Sequence, residues 1–116
     1  MDNLEYKNAK AFNIIDTVGY LSNSIINKSI LRKTTGSISA VSFDAGEVQV
    51  GKKSPYDILI QIIEGKAEVI IEGTSNLLEM GQAILIPANS SNTVKANVRF
   101  KMISTIIKSG YEEVTL

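Results

Sequence analysis

The run from Ile58 to Glu72, ILIQIIEGKAEVIIE, constrains this chain more than any other stretch. Two apolar segments rich in β-branched residues, Ile58 to Ile63 and Lys66 to Glu72, flank Glu64-Gly65. β-Branched side chains suit a pleated, largely buried surface. A glycine between two such runs accepts the positive φ that a tight hairpin demands. The pattern predicts an antiparallel hairpin in which Ile58, Ile60 and Ile62 share one face.

The same reading extends in both directions. Asn23 to Asn27 and Ser29 to Lys33 read as two short strands. Ser37 to Phe43 alternates, with Ile38, Ala40 or Val41, and Phe43 as its apolar members. Glu47 to Gly51 alternates again and sets Val48 and Val50 on one face. Leu77 and Leu78, Ala83 to Ile86 (stopped by Pro87), Thr93 to Lys95, and Phe100 to Lys108 complete the extended runs. Turn residues separate them: Thr34-Thr35-Gly36, Asp44-Ala45-Gly46, Gly73 to Asn76, Glu79-Met80-Gly81 and Ala88 to Asn92. The one helical signal is Asp16, placed to cap a turn over Thr17 to Leu21. Strands at spacings of about 8–12 residues, with no strand–helix alternation, predict an all-β sandwich or barrel rather than an α/β fold. A chain of 116 residues holds one such domain, with residues 1–10 and 110–116 expected to be flexible tails.

Charge and composition remove several classes of function. Twelve Lys and Arg balance twelve Asp and Glu. That zero balance argues against nucleic acid or an anionic membrane surface as partner, because both draw their affinity from a basic surplus. The absence of cysteine excludes disulfides, thiolate metal sites and cysteine nucleophiles. The absence of histidine removes the commonest catalytic base and the commonest transition-metal ligand. The N-terminus lacks the apolar core of a signal peptide, and no apolar run approaches the roughly 20 residues of a membrane helix. The expectation is a cytoplasmic protein, in which the acceptor patterns at Asn27 and Asn89 are coincidental.

Two glycine- and proline-marked stretches, in this order, resemble the cupin family of jelly-roll barrels. In the first, Gly46 and Gly65 stand at the ends of a motif whose two histidines fall at Lys52 and Ser54 and whose glutamate falls at Ile58. Pro55 and Asp57 are similar to a subgroup with proline and aspartate just before the first hairpin strand. In the second, Gly81 and Pro87 match, Asn89 replaces a glycine, Asn92 stands at the histidine and Ala96 replaces the closing asparagine. The resemblance runs from about Phe12 to Ser109. It implies a cupin-type jelly-roll β-barrel and, for the family, a metal held on three histidines and a glutamate.

All four of those positions differ here. A protonated lysine has no lone pair to offer, and isoleucine coordinates nothing. No metal or other cofactor is therefore expected. Asp57 neighbours the glutamate position. A one-residue register slip that brought it inward would turn the row 58-60-62 outward, so Asp57 reads as a turn residue that helps start its strand.

What remains is a concave, mostly apolar barrel interior with a few polar groups, the usual form of a small-molecule site. The candidates are Lys52, Ser54 and Tyr56 before the hairpin, Ile58 and Ile60 on its inward face, Asn92 and Met102. Lys52 offers a cation for a carboxylate or phosphate, against the plainer reading of a solvated loop lysine. Asn92 offers an orienting amide or satisfies a loop backbone. Tyr56 closes the mouth or packs at a strand end, and Met102 contacts a ligand or fills the core. Arg32 and Arg99 read as exposed charges, and Glu64, Glu68 and Glu72 as a solvated edge. Three functions follow: a metal-free barrel that binds or senses a small molecule, a metal-independent isomerase or lyase using Lys52, Tyr56 or Asp57, or a non-catalytic dimeric scaffold. Cupins commonly pair, so the resemblance also implies a homodimer.

Overall fold

A computed structural model describes residues 8–51 and 53–110. The expected tails lie outside the described residues, apart from their inner ends, and so does Lys52. Among the described residues nine strands form two antiparallel sheets: β1 (Ile25–Lys33), β2 (Gly36–Phe43), β3 (Val48–Gly51), β4 (Asp57–Glu64), β5 (Lys66–Ile71), β6 (Thr74–Glu79), β7 (Ala83–Ile86), β8 (Asn92–Lys95) and β9 (Phe100–Ile107). One sheet has the order β1-β2-β9-β4-β7 and the other β3-β8-β5-β6. This is the all-β jelly-roll barrel that the strand spacing and the resemblance imply. Among the described residues no helix is long and apolar enough to cross a membrane.

The hairpin of β4 and β5 turns on Gly65, whose φ is +77°. A Cβ there would stand 2.5 Å from the Arg99 carbonyl oxygen and 3.0 Å from the Phe100 Cβ. The strand pairings put Ile58, Ile60 and Ile62 on the barrel's inner face, as alternation requires. Phe43 and Phe100 stack at 4.6 Å between ring centroids and seal one end of the interior.

Three details differ from the sequence reading. First, β1 is one strand, and a bulge between Ser29 and Leu31 restores its pairing with β2 where the apolar pattern breaks. Second, the helical turn is a 3-10 turn at Ile14–Thr17, preceded by Asn13 rather than capped by Asp16. The Thr17 hydroxyl closes it by donating to the Ile14 carbonyl. Third, Ala40 and Val41 are both buried, because both faces of β2 are covered. Val41 faces the barrel, whereas Ala40 joins Val18 and Ile103 in a second apolar layer beneath the N-terminal segment. Val48 and Val50 share a face as expected; it is the outer one, and Val50 is 76% exposed.

Polar latches fasten the N-terminal segment over the outer face of the first sheet. The buried Lys101 Nζ donates to the Ile15 carbonyl at 2.7 Å, and Ser42 Oγ donates to the Gly19 carbonyl at 2.7 Å. Tyr20 donates its hydroxyl to Glu64 at 2.5 Å. Glu64 is thus half-buried and engaged rather than part of a solvated edge. Burial foremost, then the Glu64 carboxylate, pushes the Tyr20 phenol well above its ordinary pKa. Arg99 stacks on the Tyr20 ring at 4.6 Å and pairs with Asp44 at 3.0 Å. The Asn23 amide, followed by Arg99, holds the Asp44 carboxyl below its usual range.

Candidate functional site

The register fixes what lines the barrel. Directly paired residues project on the same side of a sheet, so each row of pairs can be followed across strands. One inner row runs Val41–Met102–Ile62, and it is buried. The next runs Ser29–Ser39–Ser104–Ile60–Ile84. The row beyond that runs Arg32–Ser37–Ile106–Ile58–Ile86, with Arg32 exposed at the β1 edge. Ser29, Ser37, Ser39, Ser104, Ile106, Ile58 and Ile84 are half-buried, while Ile60 and Ile86 stay sealed. On the facing sheet, Ile71 and Asn92 pair with each other on the inner side and are also half-buried.

The interior therefore has two zones. Around Phe43, Phe100, Met102 and Val69 it is closed and apolar. Toward the β1–β2 turn it opens and becomes polar on one wall. A depression of about 240 Å³ lies at the strand ends there, lined mainly from the outer face by Leu31, Lys33, Ile38, Thr105 and Ile107 and reaching Ser37 and Ile106 of the inner row.

The sequence candidates divide between these zones. Met102 and Ile60 belong to the sealed core, at 4% and 2% exposure. Ile58 and Asn92 face the open zone. The Asn92 carboxamide fills the space that a side chain at Gly51 would need, with Nδ2 2.8 Å from where that Cβ would stand. Only a glycine opposite it on β3 leaves that amide its place. Ser54 and Tyr56 lie on the segment entering β4, where the Tyr56 amide donates to Ser54 Oγ at 3.1 Å. The Ser54 carbonyl accepts from the Asn89 amide, tying the two motif loops together. Asp57 Oδ1 accepts from the Ala88 amide at 2.8 Å, and its pairing with Ile107 places it on the outer side. It acts as a loop fastener, the role its position in the turn suggests.

The donor set does not fit a metal of the cupin kind. Ile58 packs against the core at the glutamate position, and Ser54 and Asn92 supply only neutral oxygens. Among the described residues no three His, Cys, Asp or Glu side chains are grouped to hold an ion.

Ser29, Ser39 and Ser104 escaped the sequence reading. Their juxtaposition depends on pairing across three strands, from position 29 to position 104. One local signal existed. Ser37 and Ser39 alternate with Val41 and Phe43, so whichever face buries the phenylalanine must also carry the serines.

Comparison with known proteins places this geometry in a family. The family model described as ethanolamine utilisation protein EutQ matches residues 12–108. No curated protein matches the chain. Among solved structures, a conserved protein of unknown function from Streptococcus pyogenes superposes with a TM-score of 0.84 at 23% identity, covering 90% of this chain and 91% of that one. A cupin superfamily protein from Desulfitobacterium hafniense gives 0.83 at 18% identity, covering 89% and 94%. The EutQ protein of Clostridium difficile gives 0.66 at 16% identity, covering 78% and 66%. Identities this low speak for the fold alone. The family match spans most of the barrel, from the N-terminal segment through β9, and the chain belongs to the EutQ family of cupin-type barrels.

Proposed function

We propose that this barrel binds a small organic molecule in the open zone of its interior, without a resident metal ion. One observation carries the reading: polar side chains with unused hydrogen-bonding capacity face an interior whose walls are half-accessible. Ser29, Ser39, Ser104 and Asn92 make no side-chain hydrogen bond among the described residues, and none holds a fully buried, unsatisfied atom. Polar groups in such a position are solvated when the site is empty and become available to a ligand that displaces the water.

The family description supplies a metabolic setting, ethanolamine utilisation, and ethanolamine belongs in any ligand panel. The test is a thermal-shift screen over metabolites, run with and without a chelator. A ligand that binds only the folded state raises Tm with concentration. Stabilisation that survives the chelator supports the reading, and no stabiliser across a broad panel refutes it.

A dimeric scaffold is the second reading. It is favoured by the outer face of the first sheet, where Leu31, Leu85 and Ile107 are 43%, 58% and 54% exposed beside Leu59 and Thr105. Light scattering at micromolar concentration tests it, and a monomer counts against it.

A further inference from the structure

We infer that the ligand of this site is a small polyhydroxylated molecule, a polyol or a monosaccharide. This inference rests on the barrel-binding reading above and adds the ligand's chemical class. It follows from what the two walls of the open zone present to each other.

The wall formed by β1, β2 and β9 carries three hydroxyls in one row, Ser29, Ser39 and Ser104. Neighbouring strands lie about 4.8 Å apart, so the row repeats at roughly that spacing. Each hydroxyl is one donor and two acceptor positions, and none is spent within the described protein. The facing sheet adds the Asn92 carboxamide, a donor and an acceptor together, held in place over Gly51. Groups that donate and accept alike suit partners that do the same, which is the character of hydroxyl groups.

Charge narrows the class further. No carboxylate among the described residues lies in the inner rows of the open zone, so nothing there holds a cationic amine. The row of Ser39 and Ser104 carries no cation; in the next row the exposed Arg32 pairs with Ser37 at the β1 edge. The same zone offers apolar surface in Ile58, Ile84, Ile106 and Ile71. A sugar or cyclic polyol has both features: hydroxyls at its edge for the serines and the amide, and a C–H face for the isoleucines. An apolar ligand would strand the hydroxyls, and a buried polar group left without a partner is costly.

The experiment compares titrations of the full chain with myo-inositol, D-glucose and ribitol against titrations with ethanolamine and butyrate. Calorimetry gives affinity, and Tm of the unliganded protein reports folding. The variants are Ser39→Val and Ser104→Val, with Ser75→Ala as a control on the barrel's outside, where its hydroxyl bonds Glu68. Ser39→Ala and Ser104→Ala replace the valines if those lower the unliganded Tm. The expected result is binding of at least one polyol, weakened about fivefold to tenfold by loss of each hydroxyl and unchanged in Ser75→Ala. Polyol binding untouched by the Ser39 and Ser104 variants overturns the inference. Binding of ethanolamine or butyrate alone overturns the ligand class while leaving the barrel-binding reading intact. No binding by any of the five overturns the inference, and the wider metabolite screen then decides the reading beneath it.

Discussion

Replacing Ile58 with glutamate restores the residue that the cupin motif carries at that position and tests why this barrel does without it. Ile58 is half-buried, pairs with Ile86 and Ile106 on the inner face and packs against the main core. Losing half of an isoleucine's burial costs about 1 kcal/mol. A carboxylate among isoleucines, with no cation or donor directly opposite, adds roughly 1–3 kcal/mol of desolvation. The sum, about 2–4 kcal/mol, is a large share of the stability of a domain this size. At about 4 °C per kcal/mol it lowers Tm by roughly 8–16 °C at pH 7. The sign with pH is fixed. Desolvation raises the new carboxyl's folded-state pKa, so the penalty is absent below the unfolded value of about 4.3 and appears as pH rises through the folded value. Melts followed by circular dichroism at pH 7 and pH 4 measure both effects. A Tm within about 2 °C of wild type at pH 7, or a deficit equally large at pH 4, refutes the placement of Ile58 inside the barrel.

Three further outcomes follow from the packing. Phe100→Ala removes one ring of the stacked Phe43–Phe100 pair at the sealed end, and urea melts should show a loss of about 3–5 kcal/mol; a loss under about 1 kcal/mol contradicts that role. Tyr20→Phe deletes the hydroxyl given to Glu64 and should cost about 1 kcal/mol at pH 7, since the pair is only half-buried. Because the phenol's pKa is raised by folding, its contribution is complete below about pH 10 and is lost as pH climbs toward the folded value, so the gap between variant and wild type should narrow there. A gap that widens above pH 10 contradicts the hydrogen bond. Gly51→Ala pushes the Asn92 carboxamide from its place, and should weaken binding of any polyol that stabilises the wild type while leaving the core intact. Unchanged affinity removes Asn92 from the site.

The frame of the barrel was legible because its signals are local. Ala83–Ile86 is a continuous apolar run stopped by a proline, and its strand bounds match the sequence reading. Gly65 marks the hairpin because the turn needs its φ and leaves its Cβ no room. Local alternation misled where a strand is covered on both sides. In SISAVSF a one-sided strand must choose between Ala40 and Val41, but the N-terminal segment, latched by Lys101, Ser42 and Tyr20, buries the side that would otherwise meet water. Val48 and Val50 share a face as their alternation requires, but nothing in that alternation says that the face is the outer one. The site was half legible. Asn92 and Ile58 came from motif spacing, whereas the serine row exists only once β1, β2 and β9 are paired in register.

Metal content tests the central claim most directly: an accessible barrel interior works here with neutral polar groups where its relatives' motif would place ligands. The measurement is elemental analysis of the full chain, purified without chelator, then repeated after incubation with iron(II), manganese, nickel and zinc and exhaustive dialysis. The expected result is only trace metal in both preparations. One equivalent of any of these ions retained per chain, and lost in Asn92→Ala, contradicts it.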